Sequence, residues 1–124
     1  MNTMKALVVE DVRKLTYKDV PVPEISDNEV LVKVHACGIC GSDIPRARYG
    51  GVHSFPSIIG HEFSGEIVQI GSHAGNFVAG QRVTAAPLVP CGHCANCSTG
   101  QPAMCTHYSF IGSRQPGAMA EYAA

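Results

Sequence analysis

The chain has 124 residues, 45% of them hydrophobic and 15% charged, with a formal net charge of −1. That length suits one domain with a core of its own, and the apolar content excludes a disordered chain. The near-zero charge excludes long-range attraction to nucleic acid or an anionic membrane, and no apolar run reaches the ~18 residues that span a bilayer.

Residues 1–10 hold too short an apolar stretch for a signal peptide, so a cytoplasmic location is expected. Met4 to Glu10 reads as a β-strand, apolar and β-branched at its centre. Val20-Pro21-Val22-Pro23 is a turn or an extended segment that cannot be a central strand, because proline has no N–H to give a ladder. Asn28 to Ala36 reads as a strand with Val30, Val32 and Val34 on one face and Leu31, Lys33 and His35 on the other. Ser42-Asp43 followed by Ile44-Pro45-Arg46-Ala47-Arg48 is the best helix start, with Ser42 or Asp43 able to cap the first turn. Phe63 to Ile70 reads as a strand in which Gly65 marks a bulge or a close backbone approach. Gln81 to Ala86 is a further strand, and Phe110 to Gly112 and Ala118 to Ala123 are two more. Many short strands and few helices predict a mainly β domain, barrel-like or strongly bent. No Gly-x-Gly-x-x-Gly and no phosphate-binding loop occur, so the chain carries no dinucleotide site of its own.

The strongest local signal is Cys91-Gly-His-Cys94-Ala-Asn-Cys97, followed after seven residues by Cys105. Six cysteines in a chain without a secretion signal favour metal over disulfides. A two-residue spacer lets two thiolates face one point, and four thiolates complete a tetrahedral zinc site with no position left for substrate. Such a site is structural. An iron–sulfur run would place the fourth cysteine nearer and before proline, whereas Cys105 precedes Thr106. A nucleic-acid-binding zinc ribbon would need basic residues, and Pro90 to His107 has no Lys or Arg. With four thiolates in place, His93 and His107 are read as solvated loop residues.

A second constellation pairs Cys40-Gly41-Ser42-Asp43 with Gly60-His61-Glu62. Cys and His leave room on a metal for water or substrate, the open geometry of catalytic zinc. The two motifs are far apart in sequence, so only the fold can bring them together. By itself this pairing is weak, since a lone Cys or His is more often part of a core.

Cys37-Gly-Ile-Cys40-Gly-Ser-Asp43, Gly60-His-Glu-Phe-Ser-Gly65-Glu-Ile and the cysteine lobe occur together and in order. The set resembles the N-terminal catalytic domain of the zinc-dependent medium-chain alcohol and polyol dehydrogenases, over nearly the whole chain. The stretches Gly41 to Arg46, Ala86 to Cys91 and Tyr108 to Arg114 resemble members that act on sugar-alcohol phosphates. The resemblance implies a GroES-like bent β-barrel with a few short helices and a zinc-binding cysteine lobe, over residues 1–124. It implies two zinc ions. Cys91, Cys94, Cys97 and Cys105 would hold the structural ion. Cys40, His61 and Glu62 would hold or flank the catalytic one. Ser42 would receive the proton of the substrate alcohol. Cys37 has no role that transfers and is read as a small buried hydrophobe. Arg46 and Arg114 are the cations that could meet a substrate phosphate.

The resemblance further implies a nucleotide-binding Rossmann domain that follows this one and is absent from these 124 residues. NAD(P) would bind only in the full-length enzyme, which is expected to be a homo-oligomer acting on a small polyol or polyol phosphate. The 124 residues by themselves are expected to be inactive. A zinc-stabilised binding module without catalysis is the reading from another class. It accounts for the cysteine lobe but leaves Cys40-Gly-Ser-Asp and Gly-His-Glu without a purpose. A sorbitol, threonine or alcohol dehydrogenase is the alternative within the family.

Overall fold

The computed structural model describes residues 2–124. Strand β1 (Thr3–Asp11) lies between β2 (Lys14–Pro21) and β4 (Ser57–Ile58) in a three-stranded sheet. Strands β6 (Arg82–Thr84), β5 (Glu62–Ile70), β3 (Val30–Gly38) and β9 (Tyr122–Ala123) form a four-stranded sheet in that order. A third, two-stranded sheet pairs β7 (Leu88–Val89) with β8 (Ser109–Phe110). The helices are short: α1 (Asp43–Tyr49), α2 (Ala95–Ser98) and one 3-10 turn at Pro102–Met104. The domain is mainly β, as expected.

The sequence pattern did not mark β2. Its residues alternate between half-buried and exposed, and Leu15 and Tyr17 face outward. As an edge strand it borrows its order from β1, with which it pairs over nearly its full length. Pro21 ends that strand, where a missing donor costs no ladder bond. Three expected strands are shorter than read. Only Arg82–Thr84, Ser109–Phe110 and Tyr122–Ala123 pair regularly, because the flanking chain bonds irregularly, as Ile67 N–H does to the Gln81 carbonyl.

The face alternation read for the Asn28 strand holds as far as Val34, since Val30, Val32 and Val34 all pack in the core. The β3–β5 pairing slips between Leu31 and Val32, where Val68 is the extra residue on β5, and again between Val34 and Ala36, where His35 is the extra residue on β3. After the second slip Cys37 rather than Ala36 turns to the core. Leu31, on the opposite face from Val32, is buried as well. The core packs Val32, Phe63, Ile67, Ile111, Ala118 and Ala123 together. Gly65 answers the close approach expected of it: a Cβ there would lie 2.2 Å from the Lys33 carbonyl oxygen.

Two glycines of the 111–117 segment let it approach the backbone just before His61. A Cβ on Gly112, whose φ is +82°, would lie 2.6 Å from the Gly60 carbonyl oxygen. A Cβ on Gly117 would lie 2.4 Å from the same atom. The chain after Phe110 is thus packed backbone to backbone against the residue preceding His61. Gly117, Ala118 and Met119 reinforce that contact by donating to the carbonyls of Ile58, Gly60 and Ile59.

Candidate metal centres and the family of the chain

The cysteine lobe is built mostly from loop, with Cys97 on the short α2 and Cys105 just after the 3-10 turn. The thiols of Cys91, Cys94, Cys97 and Cys105 all lie within 4.8 Å of one another. Backbone N–H groups point at the sulfurs: Cys91 donates to Cys105 at 3.2 Å, Cys94 to Cys91 at 3.3 Å and His107 to Cys105 at 3.4 Å. Donors aimed at sulfur stabilise the thiolate, the form that binds metal. Backbone N–H groups at Cys97 and Thr106 hold the Cys94 thiol down at about 5. Those of Cys91 and His107 lower Cys105 against some burial. Burial, with the neighbouring thiols, pushes Cys97 up to about 12. Four thiolates therefore do not coexist here without a cation among them, and a tetrahedral divalent ion fits both the donor set and its spacing. His93 and His107 are exposed and bond locally, His93 Nδ1 to the Cys91 carbonyl oxygen at 2.9 Å and His107 Nδ1 to Thr106 Oγ1 at 3.0 Å.

The second set comes from two places in the chain. Cys40 lies in the loop between β3 and α1, while His61 precedes β5 and Glu62 opens it. The fold brings one donor atom of each within 4.8 Å of the others. His61 is 7% exposed, Cys40 half-buried and Glu62 exposed. An ion held by these three would keep part of its coordination sphere free, in contrast to the cysteine lobe. His61 and Glu62 border a cleft of about 500 Å³ with Phe63, Thr84 and Pro87.

Asp43 organises this set, a role that sequence reasoning missed. Sequence reading took it as a helix cap, but neither it nor Ser42 caps α1 through its side chain. Instead the Asp43 carboxylate turns back. Its Oδ2 accepts the Cys40 N–H at 2.9 Å, and its Oδ1 faces His61 Nδ1 at 3.5 Å. The residue is 2% exposed. Its place within Cys-Gly-Ser-Asp was the available signal, since a carboxylate three residues after a cysteine can reach that cysteine's own N–H. With Nδ1 facing the Asp43 carboxylate, Nε2 is the nitrogen left for a metal. A ring that donates Nδ1–H to the carboxylate presents a lone pair there.

Ser42 is exposed, and its Oγ accepts from Arg46 Nη1 at 3.3 Å. Arg46 lies inside the site and spends that nitrogen on protein atoms. Arg114 is exposed and stacks on Tyr108 at 4.5 Å from the ring centroid. It borders a separate cavity of about 390 Å³ with Lys18, Ser54, Ser57 and Ser113. Cys37 is half-buried, its thiol pushed up by that burial and by the Asp43 carboxylate. Among the described residues no helix is long and apolar enough to cross a membrane.

Residues 26–124 match the model of the alcohol dehydrogenase GroES-like domain. The galactitol 1-phosphate 5-dehydrogenase of Escherichia coli K12 is 45% identical over 102 residues, covering 82% of this chain and 30% of the relative. The crystal structure of galactitol-1-phosphate dehydrogenase from Escherichia coli superposes with a TM-score of 0.92 at 40% identity, over 97% of this chain and 35% of that one. A cobalt- and zinc-bound thermostable alcohol dehydrogenase from Pyrobaculum aerophilum superposes with a TM-score of 0.90 at 28% identity, over 98% and 39%. The chain thus spans about a third of the length of the relatives it matches. Its fold is the GroES-like fold that the motifs implied, and the chain belongs to the alcohol dehydrogenase GroES-like domain family of zinc-type medium-chain dehydrogenases.

Proposed function

We propose that this chain is the metal-binding, substrate-side part of an NAD(P)-dependent dehydrogenase. The enzyme oxidises a secondary alcohol of a polyol or polyol phosphate to a ketone, with galactitol 1-phosphate as the specific candidate. The observation that carries this reading is the convergence of Cys40, His61 and Glu62 beside a cleft, with a separate closed thiol cluster elsewhere. A purely structural module needs the second cluster and has no use for the first. The likeness to the Escherichia coli galactitol 1-phosphate enzyme supports the substrate class.

Cys91, Cys94, Cys97 and Cys105 would hold a structural zinc. Cys40 and His61 would hold the catalytic zinc, with Glu62 ligating it or lying beside it. When bound there, zinc supplies Lewis acidity that lowers the pKa of a substrate alcohol and polarises a carbonyl in the reverse direction. The chain's own groups do the rest. Asp43 fixes the imidazole and the Cys40 backbone. Ser42 gives one lone pair to Arg46, which turns its own proton away from that guanidinium. Its exposed hydroxyl accepts the alcohol proton and passes one on to solvent. The nicotinamide nucleotide that takes the hydride would be held outside these residues, in the natural full-length enzyme.

The test is metal content per chain for wild type and Cys40→Ala, purified without chelator. Two zinc ions falling to one is the expected result. One ion in both proteins would leave the cysteine lobe alone and favour a binding module. NAD(P) reduction by the full-length protein with galactitol 1-phosphate, sorbitol and threonine then separates the substrate classes.

A further inference from the structure

Arg46 is charged, yet its side chain is only 15% exposed. It lies on α1, and one nitrogen, Nη1, approaches three polar atoms. These are His61 Nδ1 at 3.2 Å, Ser42 Oγ at 3.3 Å and Asp43 Oδ1 at 3.4 Å. The guanidinium also lies 5.9 Å from the Phe110 ring centroid. Phe110 in turn meets the His61 ring edge-to-face at 5.6 Å and 62°. Arg46 and His61 therefore both border the same aromatic ring.

The electrostatics explain why a cation belongs here. Asp43 is 2% exposed, and a carboxylate removed from water needs a counter-charge or a full set of donors. Among the described residues Arg46 is the permanent cation that pairs with it. The same carboxylate fixes the Cys40 N–H and faces His61. A change at the guanidinium is thus felt by two of the three candidate donors through one group.

The geometry points to Arg46 as a positioning residue of the Cys40–His61–Glu62 metal centre: it locks the Asp43 carboxylate in the place where Cys40 and His61 are both held. This inference rests on the metal-centre reading above. The shape of the group matters as well as the charge. A lysine ammonium is a point charge on a flexible stem, without the planar guanidinium that lies beside Phe110 while its Nη1 meets Ser42 and Asp43. Arg46→Lys keeps the charge and loses the alignment.

The experiment is cobalt(II) titration of the metal-free, natural full-length protein, with chelator competition and visible absorption as readouts. The proteins are wild type, Arg46→Ala, Arg46→Lys and Arg48→Ala, the last a neighbour whose guanidinium rests on Tyr49 instead. Wild type and Arg48→Ala are expected to bind two ions alike. Arg46→Ala is expected to keep the cysteine-lobe ion unchanged and to bind the second about 10–100-fold more weakly, with shifted cobalt bands. Arg46→Lys is expected to recover part of the affinity and not the wild-type bands. Second-site affinity and bands equal to wild type in Arg46→Ala would overturn the inference. Should Arg46→Ala also lose the lobe ion, it has not folded, and Arg46→Lys decides: wild-type bands and affinity there overturn the inference, and weaker binding supports it. Wild type that binds only the lobe ion overturns the metal-centre reading, and this inference with it.

Discussion

The Asp43 carboxylate accepts the backbone N–H of Cys40 at 2.9 Å, so the start of α1 is tied to the loop that carries a candidate metal donor. Removing the carboxylate orphans that N–H and leaves Arg46 without its partner. Asp43→Ala is expected to destabilise the fold by about 1–3 kcal/mol in urea unfolding, the usual cost of an unsatisfied buried group. Asp43→Asn keeps an acceptor for Cys40 and is expected to lose less. Equal stability of wild type and Asp43→Ala would refute the tie.

The contact between Gly112 and Gly60 makes a second prediction. A methyl at Gly112 meets the Gly60 carbonyl at 2.6 Å in a φ of +82°. Gly112→Ala is expected to cost more than the ~1–2 kcal/mol of the left-handed conformation alone. Gly75 is the control, with a φ of +95° and nothing within 4 Å. Thermal unfolding should rank Gly112→Ala well below Gly75→Ala. Because Gly60 adjoins His61, Gly112→Ala should also weaken the second metal.

Ile67 has no exposed surface and packs in the main cluster. Ile67→Ala is expected to lose about 2–5 kcal/mol, the transfer term plus a cavity. Val68 on the next position is 41% exposed, and Val68→Ala should stay within about 0.5 kcal/mol. Urea midpoints with a constant m-value check both.

The cysteine lobe has little regular structure to hold it, so a metal bound by its four thiols would supply much of its order. Its α2 has four residues, far too few for independent helix stability. Chelation is expected to open residues 91–105 to a protease while the β3–β5 amides remain protected from exchange. A lobe equally resistant with and without chelator would show that packing, not metal, fixes it.

The Lys18 ammonium, and then Lys14, hold the Glu10 carboxyl down at about 2 from its ordinary 4.5. A depressed folded-state value means the contribution is present above the unfolded value and is lost as pH falls through the folded one. The stability difference between wild type and Glu10→Gln should therefore be largest above pH 4.5 and vanish near pH 2. The pair is half-buried but still open to solvent, so the difference is modest and shrinks with salt. A difference that grows on acidification would contradict the assignment.

Much of the candidate site was legible because its signals are local. Two-residue spacers between Cys91, Cys94 and Cys97 fit the reach of a single turn, and the lobe forms as that spacing implies. Strands β1, β3 and β5 were legible because their β-branched runs are long. The edge strand β2 was not, since neither of its faces is dominated by apolar residues. Arg46 is read from the sequence as a cation that could meet a substrate phosphate, and in the fold its Nη1 lies against His61, Ser42 and Asp43. Nothing in a helical spacing says whether a side chain three residues on turns outward or back.

The sequence alone determined the donor chemistry, the mainly β character and the closed nature of the four-thiol cluster, because residue type and short spacing act within one turn. Only the tertiary structure decided that Cys40 meets His61 and Glu62, that Asp43 joins two of them, and that Gly60 lies under Gly112. Those contacts depend on strand register, and the two slips between β3 and β5 move side chains from one face to the other. A slip is a balance of packing across the whole sheet, and no local pattern in the chain encodes it.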